Sequence, residues 1–446
     1  MSPPSSERMS RVDHAWLRMD SDANLMMIIG FWLLAPKLTL AELTERVQRS
    51  LLAYPRFVQT VVEDDDGASW VEDDAFDIGH HVTREALRSK PGEPPLEALK
   101  RRVAALATQP LDPSRPLWQF HLVEDLDGTR SAMICRIHHC IGDGIALMSV
   151  TLSIADGGKP PPQRKARESA HDGFAETLIK PLIDLTSKGM DVGLHVMQDA
   201  AALLLMADDS HTRLKGTATP GKRVAWGEPL PLDDVKAVSK AYGVSINDVL
   251  LAAVAGAIGS YLQSKGDDTT GQEIRAMVPV NLRPLEKAWQ LGNRFGLAPL
   301  VLPIGIENPI ERVYAVHARM SELKGSYQPL LAFAVLSVAG LMIKPVQDAI
   351  LGLFAKKATA VMTNVPGPAV PLKFCGSTLR QNMFWVPASG DIGMGVSILS
   401  YGGGVQFGLI TDKKLCPQPQ QVIDRFEPEF EKLMMVTLML PWGEAA

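Results

Sequence analysis

This sequence predicts a mixed α/β (α+β) fold in two comparable halves, and three observations carry that prediction. The chain has 446 residues, more than one hydrophobic core usually serves, so two domains meeting at a cleft are expected. Segments with helical spacing alternate with extended ones, and no fixed-period repeat is visible, which argues against solenoids and propellers. The composition breaks at 156–170 (DGGKPPPQRKARESA), where consecutive prolines, glycines and basic residues cannot sustain a core element. The expected organisation is an N-terminal domain over 1–155, a linker with connecting helices over 156–215, and a C-terminal domain over 216–446.

In chain order, the opening residues are polar and charged, without the basic start and apolar core of a secretory signal, so a cytoplasmic protein is expected. Leu25 to Ala35 (LMMIIGFWLLA) is about half the length needed to cross a bilayer and runs into Pro36, which predicts a buried strand. Leu40 to Leu52 has apolar residues at helical spacing, with Thr39 as cap and Pro55 as stop. Leu96 to Ala107 reads the same way. A loop then passes through Pro116-Leu117-Trp118 into an extended segment that ends at an Asp127-Gly128 turn.

Thr129 to His139 alternates in strand fashion, and a helix begins near Ile145. Phe174 to Met206 has the pattern of a long helix, and mixed strands and helices run from about Gly221 to the end. Pro329 to Ile343 (PLLAFAVLSVAGLMI) falls short of the roughly 20 residues a spanning helix needs; it predicts a buried or partly exposed helix, with an interfacial helix on a lipid surface as the alternative.

Apolar residues make up 46% and charged residues 21%, with a net charge of −5, and nothing in this balance suggests nucleic acid as a partner. The cysteines Cys135, Cys140, Cys375 and Cys416 have no CxxC spacing and read as reduced core thiols rather than metal ligands or a redox pair.

The chemistry concentrates in His138-His139-Cys140-Ile141-Gly142-Asp143-Gly144. Side chains alternate along an extended backbone, so the two histidines face opposite ways and cannot both be the base. Asp143 can brace the loop behind His139, with a glycine on either side to let the chain turn. A histidine pair at a strand end is more often hydrogen-bonded packing than catalysis. His80-His81, which lacks the Asp-Gly turn, is an internal control for that bland reading. Metal ligation is disfavoured because strand neighbours diverge and no third ligand lies at suitable spacing. Cys140 as a nucleophile is disfavoured for the same reason of divergence.

The string HHCIGDG resembles the HHxxxDG signature of the bacterial wax ester synthase/diacylglycerol acyltransferase family. That family is part of the superfamily of coenzyme A-dependent acyltransferases that includes chloramphenicol acetyltransferase and peptide-synthetase condensation domains. Further pieces fall in the family's order: Asp13-His14-Ala15-Trp16-Leu17, Pro116-Leu117-Trp118, Asn247-Asp248, Val278 to Arg283 (VPVNLR), Gly292-Asn293-Arg294, Asn364 to Pro368 (NVPGP) and Ser400-Tyr401-Gly402-Gly403. The glycine at 142, before Asp143, departs from the motif's interior and is expected to loosen the loop.

The resemblance implies a chloramphenicol acetyltransferase-like pair of related domains, with mixed sheets flanked by helices and a tunnel at their interface. It implies acyl transfer from long-chain acyl-CoA, a co-substrate with no further cofactor and no metal, to a long-chain alcohol or diacylglycerol. It makes His139 the base, with His138 and Asp143 in the catalytic motif, and gives Gly144, Asn247, Asn281, Arg283 and Asn364 substrate-binding or supporting roles. It also implies peripheral association with membrane or lipid droplets. Asp143 is expected to pair with Arg283, the alternative being a cap on the helix near Ile145. Asn247 reads as a helix cap or as an amide directed into the cleft, Trp118 as core, and Asn364 to Pro368 as a rigid turn. Two other functions stay open: acyl transfer from a carrier-protein thioester, and non-catalytic lipid binding.

Overall fold

The computed structural model describes residues 6–65, 67–159, 198–199, 202, 205–283, 290–339, 342 and 344–439. A six-stranded sheet runs in the order Lys373–Phe374, Ser377–Trp385, Met27–Ala35, Ser131–His138, Trp118–Val123, Val82–Arg84. Its pairings are antiparallel except the last, which is parallel. A seven-stranded mixed sheet runs Phe295–Leu302, Ile274–Asn281, Ala360–Pro366, Met394–Tyr401, Gly404–Asp412, Lys222–Trp226, with Leu230–Pro231 also on the Gly404–Asp412 strand. A small three-stranded sheet joins Ser6–Arg8, Gly67–Glu72 and Gln59–Asp64.

The local elements follow from their residues. The helix Leu40–Ser50 starts in a capping box, Thr39 accepting from Glu42 N while the Glu42 carboxylate accepts from Thr39 N. The predicted strand at Leu25 to Ala35 is Met27–Ala35; its positions Met27 to Leu34 are buried on both faces, which explains an apolar run without alternation. Ile246–Ser264 is the one helix among the described residues long and apolar enough to cross a membrane. It is instead the central helix of the second lobe, with both faces in the core and its start fixed by a Ser245–Asp248 capping box.

One strand crosses the expected division at 216. The Ser377–Trp385 strand leaves the second lobe and pairs with Met27–Ala35 of the first, from Thr378 opposite Ala35 to Trp385 opposite Ile29. Without it an apolar strand would expose an unpaired edge, a liability that the crossing removes. Trp385 and Met383 are buried there with Phe31 and Trp226.

Of the predicted linker, Asp156 is firmly tied, accepting from Arg46, Cys375 N and Gly376 N. Linker residues 160–197, and with them most of the helical stretch from Phe174 to Met206, lie outside the described residues. The predicted helix at Pro329 to Ile343 is Gln328–Ala339, and it packs on the Phe295–Leu302 strand because Gly296 has no side chain: a Cβ there would stand 1.7 Å from the Pro329 carbonyl oxygen.

Candidate active site

His138 closes the Ser131–His138 strand opposite Met27. The next amide, His139 N, still donates to Met26 O at 2.7 Å before the chain turns away. The two histidines then part. His138 Nδ1 accepts from Cys140 N at 3.2 Å, and its Nε2 lies 3.5 Å from Asp20 Oδ1, so this ring braces the turn. His139 instead borders an apolar cavity of about 290 Å³. Trp16 stacks on its ring with centroids 4.2 Å apart and planes 15° from parallel, and Phe295 lies 5.5 Å away. Nδ1 of His139 is buried without a partner of good geometry, which leaves Nε2 as the nitrogen a substrate can meet.

The cavity lies where the lobes meet. Its walls combine Trp16, Gly144 and Phe384 from the first sheet and its flanking helices with Met277, Thr363 and Asn364 from the second sheet, and with Phe333 and Leu336 from the Gln328–Ala339 helix. Among the described residues no cluster of three or more His, Cys, Asp or Glu is placed to hold a metal.

Asp143 organises the loop. Its Oδ1 accepts from Ala146 N at 2.9 Å, capping the helix Gly144–Ile154. Its Oδ2 stands 3.1 Å from Arg283 Nη2 and accepts from Arg294 N at 3.1 Å. The ion pair and the cap, posed as alternatives from sequence, are both present. Arg283 also donates to Gly292 O at 2.7 Å, and Gly292 N donates to Ile141 O at 2.9 Å. Gly142 bridges to Gly292 here. A Cβ on Gly142 would come 3.3 Å from Leu291 and 3.4 Å from Ala146, so this glycine seats the loop closely where a loosened one was expected.

Burial pushes His139 down to about 4; Asp143, its own backbone carbonyl and the Asn293 amide pull the other way. The ring is therefore neutral at pH 7, as a proton acceptor must be. Burial raises the Cys140 thiol well above its ordinary value, and Cys140 lies in the first-lobe core away from the cavity, so it is no nucleophile. Cys416 is also buried, while Cys135 and Cys375 are only half-buried.

The other predicted residues divide. Gly144, Asn281 and Asn364 border the cavity. The Asn281 side chain, however, is spent on its neighbour, accepting from Arg283 N and donating to Arg283 O. Asn364 Nδ2 donates to Asn247 Oδ1 at 2.7 Å, so Asn247 supports the wall from behind, and the Ser245 side chain holds the helix cap that Asn247 could have supplied. Trp118 is core, its Nε1 bonded to Phe57 O. His81 is stacked between Phe76 and Trp118, the packing role read for the control pair. Residue reasoning gave no role to Trp16, Asn293 or Phe295, although Trp16 and Asn293 stand inside segments singled out by resemblance.

Solved structures share this fold. A wax ester synthase/diacylglycerol acyltransferase from Marinobacter aquaeolei VT8 superposes with a TM-score of 0.70 over 98% of this chain and 99% of its own, at 22% identity. The first condensation domain of the CDA synthetase gives 0.60 over 97% and 96%, at 15% identity. The class is therefore the two-lobed fold common to these acyltransferases and condensation domains.

The wax ester synthase/diacylglycerol acyltransferase catalytic domain matches residues 9–250, and the WS/DGAT C-terminal domain matches residues 291–434. The chain belongs to that family and is an acyltransferase. A Mycobacterium tuberculosis protein named a probable diacylglycerol O-acyltransferase is 28% identical over 395 residues, 82% of this chain and 81% of the relative. Another M. tuberculosis protein named for the same activity is 30% identical over 381 residues, 82% and 83% of the two chains.

Two outcomes follow from this geometry. With the His139 imidazole neutral down to about pH 4, kcat/KM is expected to stay level as pH falls from about 7 to about 5 if that ring accepts the proton, whereas an unperturbed histidine would lose half its activity near about 6.5. Initial rates across that range decide, and a half-maximum near the ordinary histidine value contradicts the desolvated site. Arg283→Met leaves the buried Asp143 carboxylate without its cation and is expected to destabilise the protein by about 3 kcal/mol in chemical denaturation.

Proposed function

We propose that the protein transfers a long-chain acyl group from acyl-CoA to the hydroxyl of a long-chain alcohol or of diacylglycerol, with His139 as general base. The observation that carries this reading is the neutral imidazole of His139 at the wall of an apolar cavity between the lobes. A hydroxyl is a weak nucleophile at neutral pH, so Nε2 takes its proton as the oxygen attacks the thioester carbonyl. The tetrahedral oxyanion collapses, the carbon–sulfur bond breaks, and the imidazolium returns the proton to the departing thiolate. The reaction balances without a cofactor or an acyl-enzyme. Thr363, Asn364 and Ser389 share the cavity; the Thr363 hydroxyl is bonded to Val396 O and Ser397 Oγ and one Asn364 amide proton to Asn247, so the second Asn364 amide proton and the Ser389 hydroxyl are the groups available to the oxyanion. The apolar walls suit aliphatic chains and limit the entry of water as a competing acceptor.

The apolar helices beside the cavity also suit contact with a lipid surface. Gln328–Ala339 turns Phe333 and Leu336 into the cavity while Val338 is 39% exposed, and Val346 on Lys344–Lys356 is 42% exposed. Peripheral association would bring a water-insoluble acceptor to the site.

Release of free thiol from palmitoyl-CoA, measured with hexadecanol, with diacylglycerol and with neither, tests the reaction and sets the acceptor. His139→Ala is expected to lower the rate by about 10²–10⁴-fold with the fold intact; His138→Ala is expected to act through stability. Equal loss in two well-folded variants overturns the division of roles. Carbonate or high salt should release the protein from membranes, and release by detergent alone would contradict peripheral binding.

A further inference from the structure

We propose that Trp16 and Asp13, on the Arg11–Arg18 helix, are positioning residues for His139: the indole holds the plane of the imidazole, and the carboxyl group holds the backbone that carries it. The inference rests on the reading of His139 as the base and adds the means by which that base is aimed.

The stacking of Trp16 on the imidazole covers one face of the ring and removes a direction in which it could tilt. Asp13 acts one step further away. Its Oδ1 accepts from Asn293 N at 2.9 Å and from Asn293 Nδ2 at 2.7 Å, and the same amide nitrogen donates to His139 O at 2.7 Å. The approach depends on Gly292, at φ +99°, because a Cβ there would lie 3.2 Å from Asp13 Oδ2. Asp13 is buried, and burial raises its pKa; a polar group in such a place is retained only with its partners satisfied.

The helix is fixed at both sides. Ser10 Oγ accepts from Asp13 N at the start. On the side of the cavity wall, Gln347 Nε2 donates to Ala15 O at 2.9 Å and Arg18 Nη1 donates to Met342 O at 3.1 Å. Two side chains one turn apart thus act on a single residue from a helix that is itself anchored, Trp16 on the ring directly and Asp13 on the carbonyl through Asn293. Space filling alone would require neither the near-parallel ring geometry nor the relay through Asn293.

The test compares Trp16→Leu and Asp13→Leu with the conservative Trp16→Phe and Asp13→Asn, using palmitoyl-CoA and hexadecanol. Phenylalanine keeps a stacking face, and asparagine keeps an acceptor oxygen for Asn293. The leucine variants are expected to lose about 10–100-fold in kcat with KM changed less than about 3-fold, since misplacing a reacting group slows the chemical step more than it weakens binding. The conservative variants are expected to stay within about 5-fold of the parent. The charged and titratable groups around His139 are Asp143 with its partner Arg283, His138 with Asp20 beside it, and Asp13. None of them changes in Trp16→Leu, so an acidic limb that moves up in that variant reports water reaching the imidazole.

Unchanged kcat and an unchanged limb in both leucine variants, with His139→Ala inactive, overturn the positioning roles and leave the base in place. Loss of kcat only in proportion to loss of folded protein, without a shifted limb, also overturns them. Full activity of His139→Ala overturns the reading beneath. Should Trp16→Leu fail to fold, Trp16→Met takes its place with the same outcomes.

Discussion

A carboxylate buried where a strand end, a helix start and a distant loop converge must have its charge answered on the spot, and the rest of this site depends on how Asp143 is answered. Its two oxygens hold the first turn of Gly144–Ile154, the guanidinium of Arg283 and the amide of Arg294. Two stretches of chain more than a hundred residues apart are thereby tied into one junction. The loop between His139 and Asp143 has little regular structure, and its conformation is imposed from outside. A single guanidinium nitrogen, Arg283 Nη2, serves both the Asp143 carboxylate and Gly292 O.

That junction also decides where the cavity falls. His139 belongs to the first lobe, whereas the strand Ile274–Asn281 and the Gly292–Arg294 segment that grip its loop belong to the second. A site built this way cannot form in either lobe alone. The Ser377–Trp385 strand strengthens the same dependence, since it gives the first sheet a neighbour supplied by the second half of the chain. Apolar packing of Trp226, Trp385 and Phe31 closes the seam. The lobes are therefore better understood as two sheets sharing strands and a loop than as two domains joined by a tether.

Much of this was legible in the residues. Helix starts were readable because capping chemistry is local: Thr39 and Glu42 lie within one turn. The strand Met27–Ala35 was readable as buried because its apolar run is too short for a bilayer. The strand-end alternation separates His138 from His139, and desolvation of the Asp143 carboxylate calls for a cation, whereas Arg283 as that cation follows only from the family resemblance. The crossing of Ser377–Trp385 was not legible, since pairing between segments some 350 residues apart leaves no local signal. Nor was the role of Asn281, whose amide could equally face a substrate or its own neighbour's backbone; only the bonds to Arg283 decide. Gly142 was misjudged because a glycine read in isolation suggests freedom, whereas its lack of a side chain here permits contact with Gly292. Trp16 and Asn293 escaped because stacking and backbone bracing have no spacing rule.

The depressed basicity of His139 poses a problem that the surrounding groups resolve. An imidazole whose pKa lies near 4 is always free to accept a proton at pH 7, but it holds that proton weakly, so full transfer before attack would be uphill. In the proposed reaction the proton therefore has to move while the hydroxyl oxygen bonds to the thioester carbon, when the acidity of that hydroxyl rises. At that moment a positive charge grows on the ring, and the interactions that pull its pKa upward become stabilising: the Asp143 carboxylate and the His139 carbonyl. They do little for the neutral resting ring and more for the transition state, which is the distinction between binding and catalysis. Weak retention then serves the second half of the reaction, in which the imidazolium must give its proton to the leaving thiolate. Burial and bracing act in opposite directions on one equilibrium, and the site uses each at a different stage.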